Sequence, residues 1–200
     1  MQLVLATRNK DKVGEIREVL KGLALEFFTL DQFPQVPEVI EDGETLAANA
    51  LKKAKAVSDA SNILALADDT GLEVDFLNGQ PGVYSSRFAG EGATYDENVN
   101  KLLQLMKGVP WERRTARFRC VIAITGTNVE QLLEGVCEGI IAEEKRGTKG
   151  FGYDPVFYIP RFNQTFSEMP LSKKNEISHR GLALQKARKF LQELIDAEKA

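Results

Sequence analysis

The sequence predicts an α/β fold built on a mixed β-sheet with flanking helices, and three observations predict it. Leu3-Val4-Leu5-Ala6 is a short apolar run followed at once by polar residues, then by Val13, Ile16 and Leu20 at helical spacing. Residues 24–29 read as a second strand, so strand, helix and strand fit within about thirty residues, the opening of an α/β architecture. Further on, two β-rich segments at 115–125 and 131–142 are joined by Gly126-Thr127-Asn128, a hairpin turn. Their antiparallel pairing makes the sheet mixed.

The remaining elements follow in chain order. Asn9 or Thr7 can cap the first helix. Residues 31–44 are rich in Pro, Asp and Glu and read as an acidic loop. Thr45 can cap a helix whose Leu46, Ala50, Ala54 and Val57 share one face. Residues 63–67 form a short buried strand ending in Asp68-Asp69-Thr70-Gly71, and 72–76 alternate weakly as its continuation or a hairpin arm. Glycines and a proline make 79–92 an ordered loop, and 98–106 is helical through Val99, Leu102, Leu103 and Met106. A Gly-rich loop at 149–155 precedes a short strand at 156–159. The last helix has Ser178 as its cap and Leu184, Ala187, Leu191 and Leu194 on one face.

Composition narrows the function classes. The chain has 200 residues, 43% of them hydrophobic and 28% charged, which suits one globular unit without repeats, linkers or low-complexity tracts. A net charge of −3 argues against a general electrostatic grip on long nucleic acid, so an anionic ligand would be held by local Lys and Arg clusters. No apolar run is long enough to span a bilayer. The first ten residues read as a buried strand and not as a targeting segment. Cys120 and Cys137 lie in apolar, strand-like runs and read as buried thiols of a reducing compartment; the cytoplasm is the expected location.

Four groups of residues could carry chemistry. Thr7, Arg8, Asn9, Lys10, Asp11 and Lys12 link a buried strand to a helix start, where hydroxyl, amide, ammonium and backbone N–H donors make a seat for phosphates. The glycines of a P-loop are absent. Glu38, Glu41, Asp42 and Glu44 occupy the acidic loop, and Asp68-Asp69 follow a buried strand. Adjacent carboxylates there repel each other unless a cation compensates, and magnesium held by one or two carboxylates plus phosphate oxygens would do so. Asp68-Asp69 also reads as a common cap and turn. In Phe151-Gly152-Tyr153-Asp154 the glycine permits close backbone approach, the aromatic face can stack on a base, and Asp154 can accept from ring N–H groups. Core aromatics after a turn explain that segment equally well. Lys174, His179 and Arg180 form a donor-rich corner suited to a carbonyl oxygen, which would favour a 6-oxo purine over adenine. His179 is the single histidine, so no His-based metal cluster is available.

In combination these stretches resemble the Ham1-like inosine/xanthosine triphosphate pyrophosphatase family. The resemblance is carried by LATRNKDKVGEI at 5–16, EDGETLAANALKKA at 41–54, ALADDTGLEVD at 65–75, GQPGVYSSRFAGEGAT at 79–94, GFGYDPVF at 150–157 and EISHRGLAL at 176–184. They cover nearly the whole chain in the family's order. The resemblance implies an elongated mixed α/β protein, a single domain over 1–200 of two lobes around a central nucleotide cleft, usually a homodimer. It implies cleavage of non-standard purine triphosphates (ITP, dITP, XTP) between the α- and β-phosphates, with Mg2+ as cofactor. By position, Thr7 through Lys12 would hold the phosphates, and Glu41 with Asp69 the ion. Asp69 would be the general base, with Asp68 able to share that role, and Lys53 a cationic group near the phosphates. Thr70 takes a substrate-contacting position where Ser is common. Phe151 would stack on the base within the Gly152-Tyr153 loop, Asp154 would bind its edge, and Lys174, His179 and Arg180 would read its oxygen. Arg8 departs from the small residue usual at that position. A phosphatase releasing inorganic phosphate, or a non-enzymatic nucleotide-binding module, remains open on the residues alone.

Overall fold

Apolar β-formers at 2–5 and 26–29, separated by a capped helix, give the computed structural model its first parallel strand pair. The structure describes residues 1–37 and 39–198; Glu38 of the acidic loop therefore lies outside the described residues. The elements are β1 (Gln2–Leu5), α1 (Lys10–Leu20), β2 (Glu26–Thr29), α2 (Leu46–Ser61), β3 (Leu64–Val74), β4 (Pro81–Gly82), α3 (Tyr95–Leu105), β5 (Thr115–Gly126), β6 (Val129–Ile141), β7 (Phe157–Ile159), β8 (Gln164–Thr165), α4 (Leu171–Ile177) and α5 (His179–Ala197), with short 3₁₀ turns between them. Strand order is β2-β1-β3-β5-β6-β7-β8, with β4 on β3. β1 is parallel to β2 and β3, while β4, β7 and β8 join antiparallel, so the sheet is mixed.

The chain forms two compact units. The first comprises residues 1–69, 120–135 and 180–200, the second 70–119 and 136–179. In the first, Leu3, Leu5, Leu66, Ile122 and Ile124 from the strands pack against Ile16 and Leu20 of α1 and Ala183, Leu184, Ala187 and Leu191 of α5. These side chains are almost wholly buried, and each large one contributes about 1.5–3 kcal/mol on removal from water. Asn62, in the left-handed region at φ 54°, ends α2. In the second unit, Leu72, Val99, Leu102, Met106, Phe118, Phe157 and Phe166 form a separate core. Thr94 and Glu97 cap α3 reciprocally, and Thr94-Tyr95-Asp96-Glu97 carries that signal in sequence.

Three sequence expectations need correcting. The segment 63–67 is not a strand that ends at Asp68; β3 runs unbroken from Leu64 to Val74, so both aspartates sit within it. Partners supplied from α1, α2 and α5 make two buried carboxylates tolerable inside a strand. The second strand begins at Glu26 and not Ala24, because the chain turns through Gly22 (φ 87°) and a Leu25 N–H to Leu23 carbonyl bond. The helix expected over 98–106 starts earlier, at Tyr95. Neither cysteine is in a disulfide, and both are buried.

Candidate functional site

In the first unit, Asn9 fixes the loop between β1 and α1. Its Oδ1 accepts from the Asp11 and Lys12 N–H groups at 2.9 and 3.3 Å, and its own N–H donates to Thr7 Oγ1 at 3.2 Å. Two first-turn donors that the sequence reading left open to a phosphate are thus already occupied. What the loop presents to solvent is charge: Arg8, Lys10 and Asp11 are exposed. Lys12 is only half-buried, and its Nζ lies 3.1 Å from Asp68 Oδ2.

Asp68 is wholly buried and anchors a charge network. Arg180 donates to its Oδ2 through Nε at 3.1 Å and Nη2 at 3.0 Å, and through Nη1 to Glu15 Oε2 at 2.6 Å. Burial opposes ionisation of Asp68, but Lys12, Arg180 and Lys53 outweigh it and hold the carboxyl well below the usual range. Burial likewise opposes the Arg180 charge, and Asp68 and Glu15 outweigh it, so Arg180 stays protonated throughout. Glu15 was not among the residues singled out from the sequence. Its signal was a carboxylate beside Ile16 on the buried side of α1.

Asp69 differs from its neighbour. Burial raises its pKa, as does Glu41; Lys53, Lys12 and the Asn49 amide pull it down, and the balance is upward. Lys53, projecting from α2, donates to Glu41 Oε1 at 2.7 Å, to the Asp68 carbonyl at 2.7 Å and to Asp69 Oδ1 at 3.4 Å. Burial works against its charge, and Asp69, Asp68 and Glu41 more than restore it, leaving its pKa raised. The Gly43 N–H donates to Asn49 Oδ1 at 2.8 Å, which ties the acidic loop to α2. A Cβ on Gly43 would fall 2.6 Å from that oxygen, so the approach requires glycine. Asp42 pairs with Lys52 at the surface, away from these groups.

These residues suit a hard divalent cation. Asp69 Oδ2 is buried with no hydrogen-bond partner, and Glu41 lies across Lys53 from it. No group of three or more His, Cys, Asp or Glu that could hold an ion occurs among the described residues. Two carboxylates are the set that magnesium uses when phosphate oxygens and water complete its shell.

The second unit holds the aromatic part. Lys174 Nζ donates to Asp154 Oδ2 at 2.6 Å, with both side chains almost wholly buried, and the same oxygen accepts from the Phe151 N–H at 2.9 Å. Asp154 therefore staples the loop that carries Phe151. Gly150 has φ 73°, and a Cβ there would sit 2.0 Å from Asp154 Oδ2, so the staple depends on glycine. Lys174 Nζ lies 4.9 Å from the half-buried Phe151 ring centre, and the exposed Tyr95 ring is 5.8 Å away on a tilt. His179 stacks on Phe118 at 4.4 Å and 16°, with Phe166 beyond at 6.3 Å. Tyr153 is core: its hydroxyl donates to the Ser85 carbonyl at 2.9 Å, and burial drives its pKa upward. Thr70 is half-buried within β3, and Gly152 turns the loop at φ 60°.

Of the residues expected from sequence, the structure gathers Lys12, Lys53, Glu41, Asp68, Asp69 and Arg180 in one unit, and Phe151, Asp154, Lys174 and His179 in the other. Arg180 is found on Glu15 and Asp68, partners the sequence reading had not given it.

A sequence model of the Ham1 family matches residues 3–190. The chain belongs to the Ham1 family. Among Ham1 relatives, a dITP/XTP pyrophosphatase of Desulforamulus reducens is 55% identical, covering 97% of each chain. One of Geobacter sulfurreducens with the same name is 48% identical over 92% of each. Solved Ham1 structures agree in fold: the Coxiella burnetii protein superposes with TM-score 0.88 at 41% identity, covering 96% of this chain and 99% of that one. The Staphylococcus aureus Ham1 protein does so with TM-score 0.86 at 34% identity and the same coverage.

Proposed function

We propose that this Ham1 protein hydrolyses non-standard purine nucleoside triphosphates (ITP, dITP and XTP) to the monophosphate and pyrophosphate, with magnesium as cofactor. The observation that carries the reading is the bonded group of Glu41, Lys53 and the buried Asp69 in a chain 55% identical to a dITP/XTP pyrophosphatase. Clearing such nucleotides keeps the nucleotide pool sound.

Glu41 and Asp69 would hold the ion, which when bound supplies charge neutralisation for the polyphosphate. Asp69, catalytic in this reading, takes the proton of the attacking water as that water adds across the α–β phosphoanhydride. Lys53 and Lys12 place ammonium charge where the departing pyrophosphate gathers negative charge. Arg8, Lys10 and the Thr7–Asn9 turn draw in the phosphates, with Asp11 closing the helix start, and Thr70 offers a hydroxyl. Phe151 takes the base face, with Gly152 allowing the approach and Tyr153 holding the loop from below. Asp154 binds the base edge, and Lys174 and His179 favour a 6-oxo group; Arg180, expected to join them, is instead engaged by Asp68 and Glu15. A polar corner of this kind rejects adenine far more strongly than an apolar pocket could.

The same reading makes the protein a cytoplasmic homodimer. Two buried thiols fit a reducing compartment, and Tyr84, Leu105 and Trp111 leave apolar surface exposed for a second copy. Sedimentation showing only 22.2 kDa particles at micromolar concentration would remove the dimer. The test of the activity is a panel of dITP, ITP, XTP, ATP and GTP assayed with magnesium and with chelator. The expected result is magnesium-dependent turnover of the first three and little of the last two; equal turnover of all five would overturn the specificity.

A further inference from the structure

We infer that Lys53 acts as a built-in counter-ion that competes with the divalent cation, so that tight ion loading waits for a polyphosphate; this rests on the function proposed above. The geometry is that of an ammonium with its three donors directed at three oxygens: Glu41 Oε1, the Asp68 carbonyl and Asp69 Oδ1. Only 12% of the side chain is exposed, so water screens these contacts poorly.

Charge counting shows the consequence. Asp68 and Glu15 together are already matched by Arg180 and Lys12, so these four charges add little to the local balance. Glu41 and Asp69 carry two negative charges and Lys53 one positive. A divalent ion arriving alone would meet carboxylates already bonded to the ammonium and would leave the site with one excess positive charge. Both effects weaken its binding. A nucleotide reverses them, because its phosphates draw Lys53 off the carboxylates and bring the missing negative charge. Ion and nucleotide then each strengthen the other's binding, as linkage requires. Lys53 also keeps Glu41 and Asp69 from repelling each other in the ion-free protein.

The experiment measures Mn2+ binding by the loss of its free electron paramagnetic resonance signal. It uses the full chain, the wild type and the Lys53→Met and Lys53→Gln variants, with and without inosine 5′-(α,β-methylene)triphosphate. Without nucleotide, both variants are expected to bind Mn2+ about tenfold or more tightly than the wild type. Unchanged or weaker binding in the folded variants overturns the inference. A wild-type measurement stands beside them should a variant not fold. The 15N signal of the Lys53 ammonium should hold its position through a titration with Mg2+ alone and move when the analogue joins. Movement with Mg2+ alone at equal concentration also overturns it. If Glu41→Gln and Asp69→Asn bind Mn2+ with the analogue as well as wild type does, it is the underlying ion site that fails, a result distinct from the others.

Discussion

Replacing Arg180 with leucine should destabilise the protein by about 3–5 kcal/mol, the range for removing one partner of a buried ion pair. The magnitude follows from where its charges stand. Arg180, Glu15 and Asp68 expose 3%, 5% and none of their side chains, so Arg180→Leu leaves two carboxylates buried. Lys12 remains near Asp68, while Glu15 loses its 2.6 Å bond from Nη1. For a chain of this size the loss corresponds to a fall in Tm of roughly 6–20 °C. Glu15→Leu should cost less, about 1.5–3 kcal/mol, because Arg180 keeps both bonds to Asp68. The double variant should cost less than the sum of the two singles by about 0.5–3 kcal/mol. Urea unfolding of the four proteins, followed by circular dichroism, gives all these numbers. The pH dependence has a definite sign. The folded pKa of Asp68 is lower than its unfolded one, so its contribution is complete above the ordinary carboxylate range and drains away as pH falls through the folded value. An Arg180→Leu protein within about 0.5 kcal/mol of wild type, or strictly additive variants, would refute the reasoning.

Other consequences can be checked separately. Asp69→Asn should abolish turnover while leaving nucleotide binding measurable by calorimetry; near-wild-type turnover would take Asp69 out of the chemistry. Burial pushes the Cys137 thiol up to about 11, so at pH 8 it should resist a thiol-disulfide reagent until the protein is unfolded. Prompt labelling of Cys137 in the native protein, read by mass spectrometry, would contradict that burial. Gly150→Ala places a methyl against Asp154 and should raise KM for ITP much more than it lowers kcat; unchanged kinetics would show that the loop staple is dispensable. Thr94→Ala removes the α3 cap and should cost about 1 kcal/mol, seen as a small drop in Tm with turnover retained.

Local signals in the sequence were read correctly where local physics decides the structure. Asn9 and Thr45 cap the helices expected of them, and Asn128 (φ 59°) sits in the hairpin turn between β5 and β6. The apolar face of α5 is the one that packs on the sheet. What the sequence concealed depends on distant partners. Asp68-Asp69-Thr70-Gly71 resembles a strand end because adjacent aspartates are poor strand formers, yet Arg180, 112 residues away, neutralises Asp68 and lets β3 continue. The same long-range pairing hid Glu15, whose partner is 165 residues away. Short elements such as α4 and β8 offered too few residues for a period to show. Phe118 beneath His179, and Tyr95 beside Phe151, are contacts that only the folded chain brings about.

The measurement that bears most directly on the central claim is product analysis of ITP turnover, by ion-exchange chromatography and 31P spectroscopy. With magnesium present, each ITP consumed should yield one IMP and one pyrophosphate, with no IDP accumulating. Inorganic phosphate and IDP as first products would place the cut at the wrong anhydride, and the assignment of Glu41, Lys53 and Asp69 to a pyrophosphate-releasing site would fall.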